Sequence, residues 1–391
     1  MSTLRVNTLQ NTSTTDGGIS IDNSGHVTVD GVAMPSAGPL SNRNLIINGA
    51  MQVAQRGTSQ TGVSDGATEG FSTLDRYRTR FSGGHSGVVT NSQSTTVPAG
   101  EGFSSSFGLD VTTAVATLTG SMRSEIQYKI EAQDLRNSGW NYTDTNSSIT
   151  LSFWARSSKT GAHCVHLVAD DTTTDKYYLA EYSLTADTWE RISITIPGHA
   201  NAVFNNDNGV GLEINWILSA GPDIDGGTSG AWHSTTQRAT SSQVNVYDST
   251  DGEFYLTGVQ LEVGSVATPF EHRSYSDELA RCERYYLRYT ADNNDCYGFS
   301  FSAFSSTAGV VNVTFPTSMR ATPSFNFSGS HRIISVTDSA TFTSGLAISR
   351  QNTGSRSTTL ELGGTSSLTG GSAGSLMAAA DGVYLEFISE L

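Results

Sequence analysis

Cysteine is scarce in this sequence, where Cys164, Cys282 and Cys296 are the three such residues among 391. Their number is odd, they are widely spaced, and no CxxC pair occurs. A disulfide framework and a cysteine-based zinc site are therefore not expected. We predict that the three side chains are small buried apolar groups in a protein that folds in a reducing cytoplasm.

Basic residues are also few, with 22 Lys and Arg against 37 Asp and Glu, so that the formal net charge is −15. No run of Lys or Arg occurs anywhere in the chain. Nucleic acids and anionic membrane surfaces attract clustered cations. We therefore expect neither a nucleic acid nor a membrane as a partner.

Long apolar stretches are missing as well. None approaches the ~20 residues that a membrane-spanning helix needs. The segment MSTLRVNTLQ lacks the basic region and the apolar region of a secretory signal. These absences predict synthesis in a cytoplasm without insertion into a membrane.

Glycine, by contrast, is abundant at 40 residues, and serine and threonine are frequent too. Turn clusters of these residues separate many short segments in which apolar and polar residues alternate, a pattern that predicts an all-β protein. We divide the chain into an extended arm at 1–40, a large jelly-roll β-sandwich at 41–273, a short linking helix at 274–290 and a small β-sandwich at 291–391.

Candidate strands recur at short intervals in both sandwiches. In the large one they are 148–154, 162–168, 176–182, 191–196, 210–218, 243–247 and 253–261. In the small one they are 310–315, 324–328, 333–336, 346–349, 358–362 and 383–388. Regular short strands with such turns between them are typical of sandwiches and jelly rolls.

The arm contains a candidate hairpin. Its alternation places Ile19, Ile21, Val27 and Val29 on one face. An isolated two-stranded hairpin is marginally stable in water. Because nothing local covers this face, we expect it to pair with another copy of the chain.

The segment 274–290 (SYSDELARCERYYLRYT) has the pattern of a helix. Asp277 and Glu278 stand in the first turn, where negative charge suits the helix dipole. Leu279, Cys282 and Tyr286 form an apolar stripe at helical spacing. The pattern predicts one helix over the whole segment.

Several phrases, in a fixed order, resemble a domain of bacteriophage tail-fibre and receptor-binding proteins, including those of marine phages and cyanophages. The first are NLIING at 44–49, QVAQRG at 52–57 and DRY at 75–77. Later ones are ITLSFWARSS at 149–158, FYLTGVQLE at 254–262 with ATPFE at 267–271, and FPTSMRATP at 315–323. The resemblance covers 41–330 discontinuously.

This resemblance implies a carbohydrate-binding-module-like jelly roll, homotrimeric assembly, a place in the virion as a short tail fibre, and no catalytic activity. It implies that the arm docks on another tail or adaptor protein of the virion and that the C-terminal sandwich is the distal tip. Attachment to a host-surface glycan follows from the same likeness. The protein would be made in the host cytoplasm and reach the outside with the virion.

Two other functions fit the sequence. One is a structural or decorating fibre of head or tail that binds no receptor. The other is a polysaccharide depolymerase, although the P-loop and HExxH are absent, and no repeat of a parallel β-helix occurs.

Two loops carry candidate glycan-binding residues. Trp140 with Tyr142 and Trp232 with His233 lie in polar segments that contain glycine, and aromatic rings on loops offer flat apolar faces to sugars. The alternative is that these rings fold back onto the sandwich. Trp154, Trp189 and Trp216, inside or beside apolar strands, are predicted in the core.

No cofactor is expected, but a structural calcium ion is a further hypothesis. Carboxylates in loops and at strand ends suit calcium, and the candidates are Asp223, Asp225, Asp251 and Glu253. The alternative is that these are solvated turn residues. His163 and His166 are three residues apart on a predicted strand and therefore face opposite sides, so we do not expect them to share a metal.

Overall fold

The computed structural model describes residues 8–10, 18–23, 25–36, 41–66, 69–171, 176–335, 339–342, 344–363 and 368–391. The protein is all-β with short helices, as the sequence predicted. It divides into two compact units, Met1–Ser274 and Tyr275–Leu391. The first seven residues of the N-terminal segment and residues 37–40 of the arm lie outside the described residues.

The arm forms a small antiparallel sheet of four strands, β1 (Thr8–Gln10), β2 (Gly18–Ile21), β3 (Val27–Val29) and β4 (Val32–Ala33). The register aligns Leu9, Ile19, Val29 and Val32 in one cross-strand row, and it places Ile21 beside Val27. The four side chains of the row are 37–56% exposed within the chain. The predicted hairpin is therefore confirmed, with its apolar residues on one open face.

Residues 59–263 form a sandwich of two six-stranded sheets. Its strands are β5 (Ser59–Val63), β6 (Tyr77–Ser82), β7 (Val88–Ser94), β8 (Ser106–Thr113), β9 (Arg123–Glu131), β10 (Ser148–Ser157), β11 (Gly161–Ala169), β12 (Lys176–Leu184), β13 (Glu190–Pro197), β14 (Val210–Ala220), β15 (Ala231–His233) and β16 (Glu253–Val263). A helical turn, α1 (Ala132–Arg136), follows β9.

The first sheet has the order β13-β10-β16-β8-β7-β5 and the second the order β15-β12-β11-β14-β9-β6. The chain crosses repeatedly between the sheets, as in a jelly roll. Alternate residues of both sheets point inward and form one core, which includes Phe153, Trp216 and Tyr247. Trp216 is fully buried, as predicted.

The described residues of the second unit form one further helix, α2 (Tyr275–Glu283), and ten strands in two sheets around a shared core. The strands are β17 (Tyr286–Ala291), β18 (Cys296–Ala303), β19 (Gly309–Thr314), β20 (Ser324–Ser328), β21 (His331–Ser335), β22 (Ser339–Phe342), β23 (Leu346–Thr353), β24 (Ser357–Leu362), β25 (Ala373–Ala378) and β26 (Val383–Ile388). The sheet orders are β17-β26-β20 and β22-β21-β25-β18-β19-β24-β23.

The predicted helix at 274–290 is wrong in its second half. Helix α2 ends at Glu283, and a tight turn, in which the Tyr285 amide donates to the Cys282 carbonyl, leads into strand β17. This strand pairs with β26 almost 100 residues later and buries Tyr286 and Leu287. Aromatic and branched residues suit a strand, so this distant pairing overrides the local helical spacing.

Two smaller expectations are also corrected. The predicted strand at 243–247 is replaced by a 3₁₀ turn at Val246–Asp248, which the Asn245 side chain caps at its start. Cys296 is exposed, whereas Cys164 and Cys282 are buried. Within the described ranges, no helix combines the length and the apolarity that crossing a membrane would take.

Candidate functional site

The loop aromatic residues gather at one end of the first sandwich. Trp140 is 4% exposed, and its ring centroid lies 6.0 Å from that of Phe204 and 6.3 Å from that of Tyr142. Trp232 is half-buried, contacts the rings of Tyr178 and His199, and donates its indole N–H to the Pro197 carbonyl. The structure thus brings three of the four predicted residues to the same end.

This packing contradicts the prediction of a sugar-stacking role for Trp140. Its ring is covered by other side chains, because burial of a large apolar surface stabilises the fold more than its exposure to water. Tyr142 and Trp232 are half-buried and keep a partly open edge, so their glycan role stays a prediction. His233 does not join them, because neighbouring residues of β15 point to opposite faces.

The calcium candidates lie in two segments. Asp223 and Asp225 belong to the connection between β14 and β15, whereas Asp251 and Glu253 stand at the start of β16. Glu253 forms an ion pair with Arg156 at 3.4 Å. Among the residues that the structure describes, no group of three or more His, Cys, Asp or Glu side chains is arranged to hold a metal ion. The calcium ion stays an untested hypothesis.

Two of the phrases that carry the family resemblance, at 254–262 and 267–271, meet in a buried polar network. Glu262 is 1% exposed, and its carboxylate accepts hydrogen bonds from the amide and the hydroxyl of Thr268, at 2.9 and 2.7 Å. Gln260 donates to the same carboxylate at 2.8 Å, and Arg43 lies 3.5 Å from it. The network holds the segment around Thr268, which follows β16, against the first sheet.

The segment 44–49 is held in place by hydrogen bonds to the same strand, β16. The Asn44 side chain accepts from the amides of Ile46 and Leu261 and donates to the Val259 carbonyl. A Cβ atom on Gly49 would overlap the Val259 carbonyl oxygen, so only glycine fits there. These residues therefore hold the fold together and are not exposed to a ligand.

An aromatic pocket opens on the outer face of the first sheet. Its cavity of about 320 Å³ is lined by Phe103, Trp154, Phe270 and His272, together with the charged side chains of Glu101 and Arg191. The rings of Phe103, Phe270 and His272 lie 4.9–5.2 Å apart and brace one another. We call these six residues the aromatic pocket.

Strand β10 positions Trp154 in this pocket. Phe153 and Ala155 are fully buried in the core, so the residue between them must face outward. A β-bulge of β16 next to the partner of Trp154 contains Gly258 with φ of +61°, and a Cβ atom there would lie 2.6 Å from the Phe103 ring and 3.0 Å from Trp154. Because Gly258 has no side chain, the rings of Phe103 and Trp154 can pack directly against the backbone of the sheet.

The prediction of Trp154 and Trp189 as core residues is wrong. Both are half-buried on the outer face, and Trp189 lies 6.3 Å from the Tyr255 ring, over which the Arg156 guanidinium packs. Strict alternation with Phe153 would have placed Trp154 outside. Phe103 and Phe270 were missed, because they come from loops that only the folded chain brings to the sheet.

Neither a protein-family model nor a curated protein matches the sequence. Among solved structures, the chain is similar to the enzymatically active domain of tailspike protein 4 of bacteriophage CBA120, with 16% identity, a TM-score of 0.28 and coverage of 52% of this chain. The match spans 21% of that domain, about a fifth of its length.

Two further solved structures are similar over about half of this chain. One is a putative sugar binding protein from Bacteroides thetaiotaomicron, with 11% identity, a TM-score of 0.32 and coverage of 56% of this chain and 99% of that one. The other is a family 11 carbohydrate-binding module from Clostridium thermocellum, with 10% identity, a TM-score of 0.27 and coverage of 54% of this chain and 98% of that one. At such values only the side chains of this protein can support a function.

Proposed function

We propose that this protein is a homotrimeric tail-fibre component of a phage virion that attaches to host-surface glycans by binding and not by catalysis. The observation that carries the binding role is the aromatic pocket. Sugar-binding sites combine flat apolar rings with a few polar groups that bond hydroxyls. Trp154 and Phe103 supply the rings, and Arg191 and Glu101 supply a donor and an acceptor at the rim.

The ordered tail-fibre phrases support a place in the virion. Residues of two of these phrases, at 254–262 and 267–271, form the buried network around Glu262, so the likeness extends to side chains that stabilise this fold. A non-receptor fibre would share the network, but it has no need of an open aromatic pocket.

Replacing Trp154 with alanine is expected to weaken glycan binding about 30-fold, because truncation of a central tryptophan in a binding site typically costs about 2 kcal/mol. Binding of the purified chain to a panel of immobilised bacterial lipopolysaccharides and capsular polysaccharides, followed by interferometry, measures the effect. Release of reducing sugar from the same panel tests the depolymerase alternative.

The matched variant is Phe304→Ala, which removes a 65% exposed ring from the second unit. We expect it to bind like the wild type. If Phe304→Ala loses binding and Trp154→Ala retains it, the receptor site belongs to the C-terminal unit and not to the aromatic pocket. Absence of binding to every polysaccharide would favour the structural fibre.

The trimer has its own test at the apolar row of the arm. Light scattering after size exclusion should give three times the chain mass of 41.5 kDa. Ile19→Asp places a charge in the row and should yield monomers, since a charge cannot be buried there without a partner. Ser20→Asp adds the same charge to the other face of β2 and should stay trimeric. A monomeric wild type would contradict the trimer.

A further inference from the structure

A group of polar side chains lies on the outer face of the second sheet of the first sandwich, which has the order β15-β12-β11-β14-β9-β6. His166 on β11, Tyr177 on β12 and His233 on β15 are neighbours there, and Arg238 follows β15. The His166 ring stacks on Tyr177 at 5.1 Å, and the two histidine rings lie 6.2 Å apart. We call these four residues the arginine–histidine cluster.

Arg238 is held in place without a carboxylate partner among the described residues. Its backbone amide donates to the Ile224 carbonyl, its guanidinium packs 5.1 Å from the Tyr177 ring centroid, and one Nη atom lies 3.4 Å from His166 Nδ1. Three other cations of the same face are paired with carboxylates. Arg80 and Arg123 share Glu125, and Lys129 pairs with Glu213.

The two histidines pack beside this guanidinium, and His166 contacts it directly. Arginine can only donate, so His166 Nδ1 accepts from Arg238 and the His166 proton is assigned to Nε2. His166 is fully buried, and its Nε2 has no hydrogen-bond partner within the described part of the chain. The Nε2 atom of His233 is in the same condition, while its Nδ1 lies 3.0 Å from the Thr235 hydroxyl.

The charge state of the cluster follows from burial. Desolvation, with the nearby charge of Arg238 as a lesser cause, lowers the pKa of His166 well below its ordinary value, and burial lowers the pKa of His233 as well. Both rings are therefore neutral at pH 7, and Arg238 is the cation of the cluster. A half-buried guanidinium that has no carboxylate partner among the described residues is a site for an anion.

We propose that the arginine–histidine cluster binds the carboxylate of an acidic sugar, such as a uronate. The planar guanidinium of Arg238 matches the two oxygens of a carboxylate, and His233, which is half-buried like Arg238, lies at the accessible side. His166 keeps Arg238 in position from below. A metal cation is disfavoured, because Arg238 would repel it and competes for His166 Nδ1.

The sugar part of this inference rests on the proposed glycan-binding function, whereas the anion site stands on the cluster alone. The cluster lies on the second sheet and the aromatic pocket on the first. Each site can therefore be inactivated without the other, and the failure of one proposal can be told from the failure of the other.

The test titrates sodium glucuronate, glucose, acetate and inorganic phosphate into the full chain at constant ionic strength, with chemical shifts or calorimetry as the readout. We expect glucuronate to bind and glucose not to bind. Arg238→Gln should weaken glucuronate binding at least about tenfold, since charge-assisted bidentate bonds are the strong ones. Arg238→Lys should restore only part of the affinity.

The matched control is Arg80→Gln, which removes the same charge from the same face but from a group already paired with Glu125. It should leave glucuronate binding unchanged. Acetate or phosphate binding as tight as glucuronate binding would mean a simple anion site and overturn the sugar assignment. Absence of glucuronate binding, or equal affinity in Arg238→Gln, would overturn the site, even where Trp154-dependent polysaccharide binding persists.

Discussion

Acidification from pH 6.5 to pH 4 is expected to lower the free energy of unfolding of the first unit by on the order of 6 kcal/mol. His85 and His163 are at most 1% exposed, and desolvation by burial lowers the pKa of each to about 4. In the unfolded chain the pKa returns to about 6.5, so between these values the unfolded state binds more protons. Stability is therefore complete above pH 6.5 and falls as the pH drops towards 4.

Each histidine contributes about 3 kcal/mol to this loss, from a pKa difference of about 2.5 and roughly 1.4 kcal/mol per pH unit. Urea unfolding curves at pH 7 and pH 4.5 measure it. Replacing both histidines with glutamine should reduce the dependence on pH, although His166, whose pKa burial also lowers, keeps part of it. His26→Gln, at a side chain that keeps contact with solvent, is the control and should not. An unchanged slope in the double variant would contradict the assignment.

Glu262→Ala should lower the free energy of unfolding by about 3–5 kcal/mol at pH 7, the usual effect of removing one member of a buried charged network. The substitution deprives the Thr268 amide of its acceptor, removes the shortest hydrogen bond of the Gln260 side chain and leaves Arg43 with one carboxylate fewer. These donors stay inside the protein, where water does not replace the lost bonds.

Chemical denaturation of Glu262→Ala, followed by tryptophan fluorescence, gives the magnitude. Glu253→Ala is the matched control, because it removes a carboxylate from the same strand whose side chain is 39% exposed and pairs with Arg156. Its expected effect is below about 1 kcal/mol. Equal effects of the two substitutions would show that the buried network does not stabilise the fold.

The strands of the sandwiches could be predicted where alternation was regular, as at Ser148–Ser157 and Glu253–Val263. The strand at Tyr286–Ala291 could not, because its aromatic residues also fit a helical stripe and the partner strand lies far along the chain. Strands β5 to β9 were missed for a related reason. Several of their inward residues are polar, such as Thr79, Asn91 and Ser124, and these interrupt the apolar alternation.

The candidate sites were harder to predict than the fold. Trp232 and Trp140 have the sequence context of exposed rings, yet the folded chain supplies Pro197 and Phe204 as their partners. Trp154 has the context of a core residue, yet its strand turns it outward. Whether each of these tryptophan rings is buried or exposed therefore depends on side chains that are distant in sequence.

The positions of the two proposed sites have a consequence for the way in which the protein meets a polysaccharide. The aromatic pocket and the arginine–histidine cluster open from opposite faces of one sandwich, and its packed core separates them. A single short saccharide cannot reach both. Each sandwich would instead hold two strands of a polymer, and a trimer would hold six, so that soluble protein should cross-link and precipitate an acidic polysaccharide.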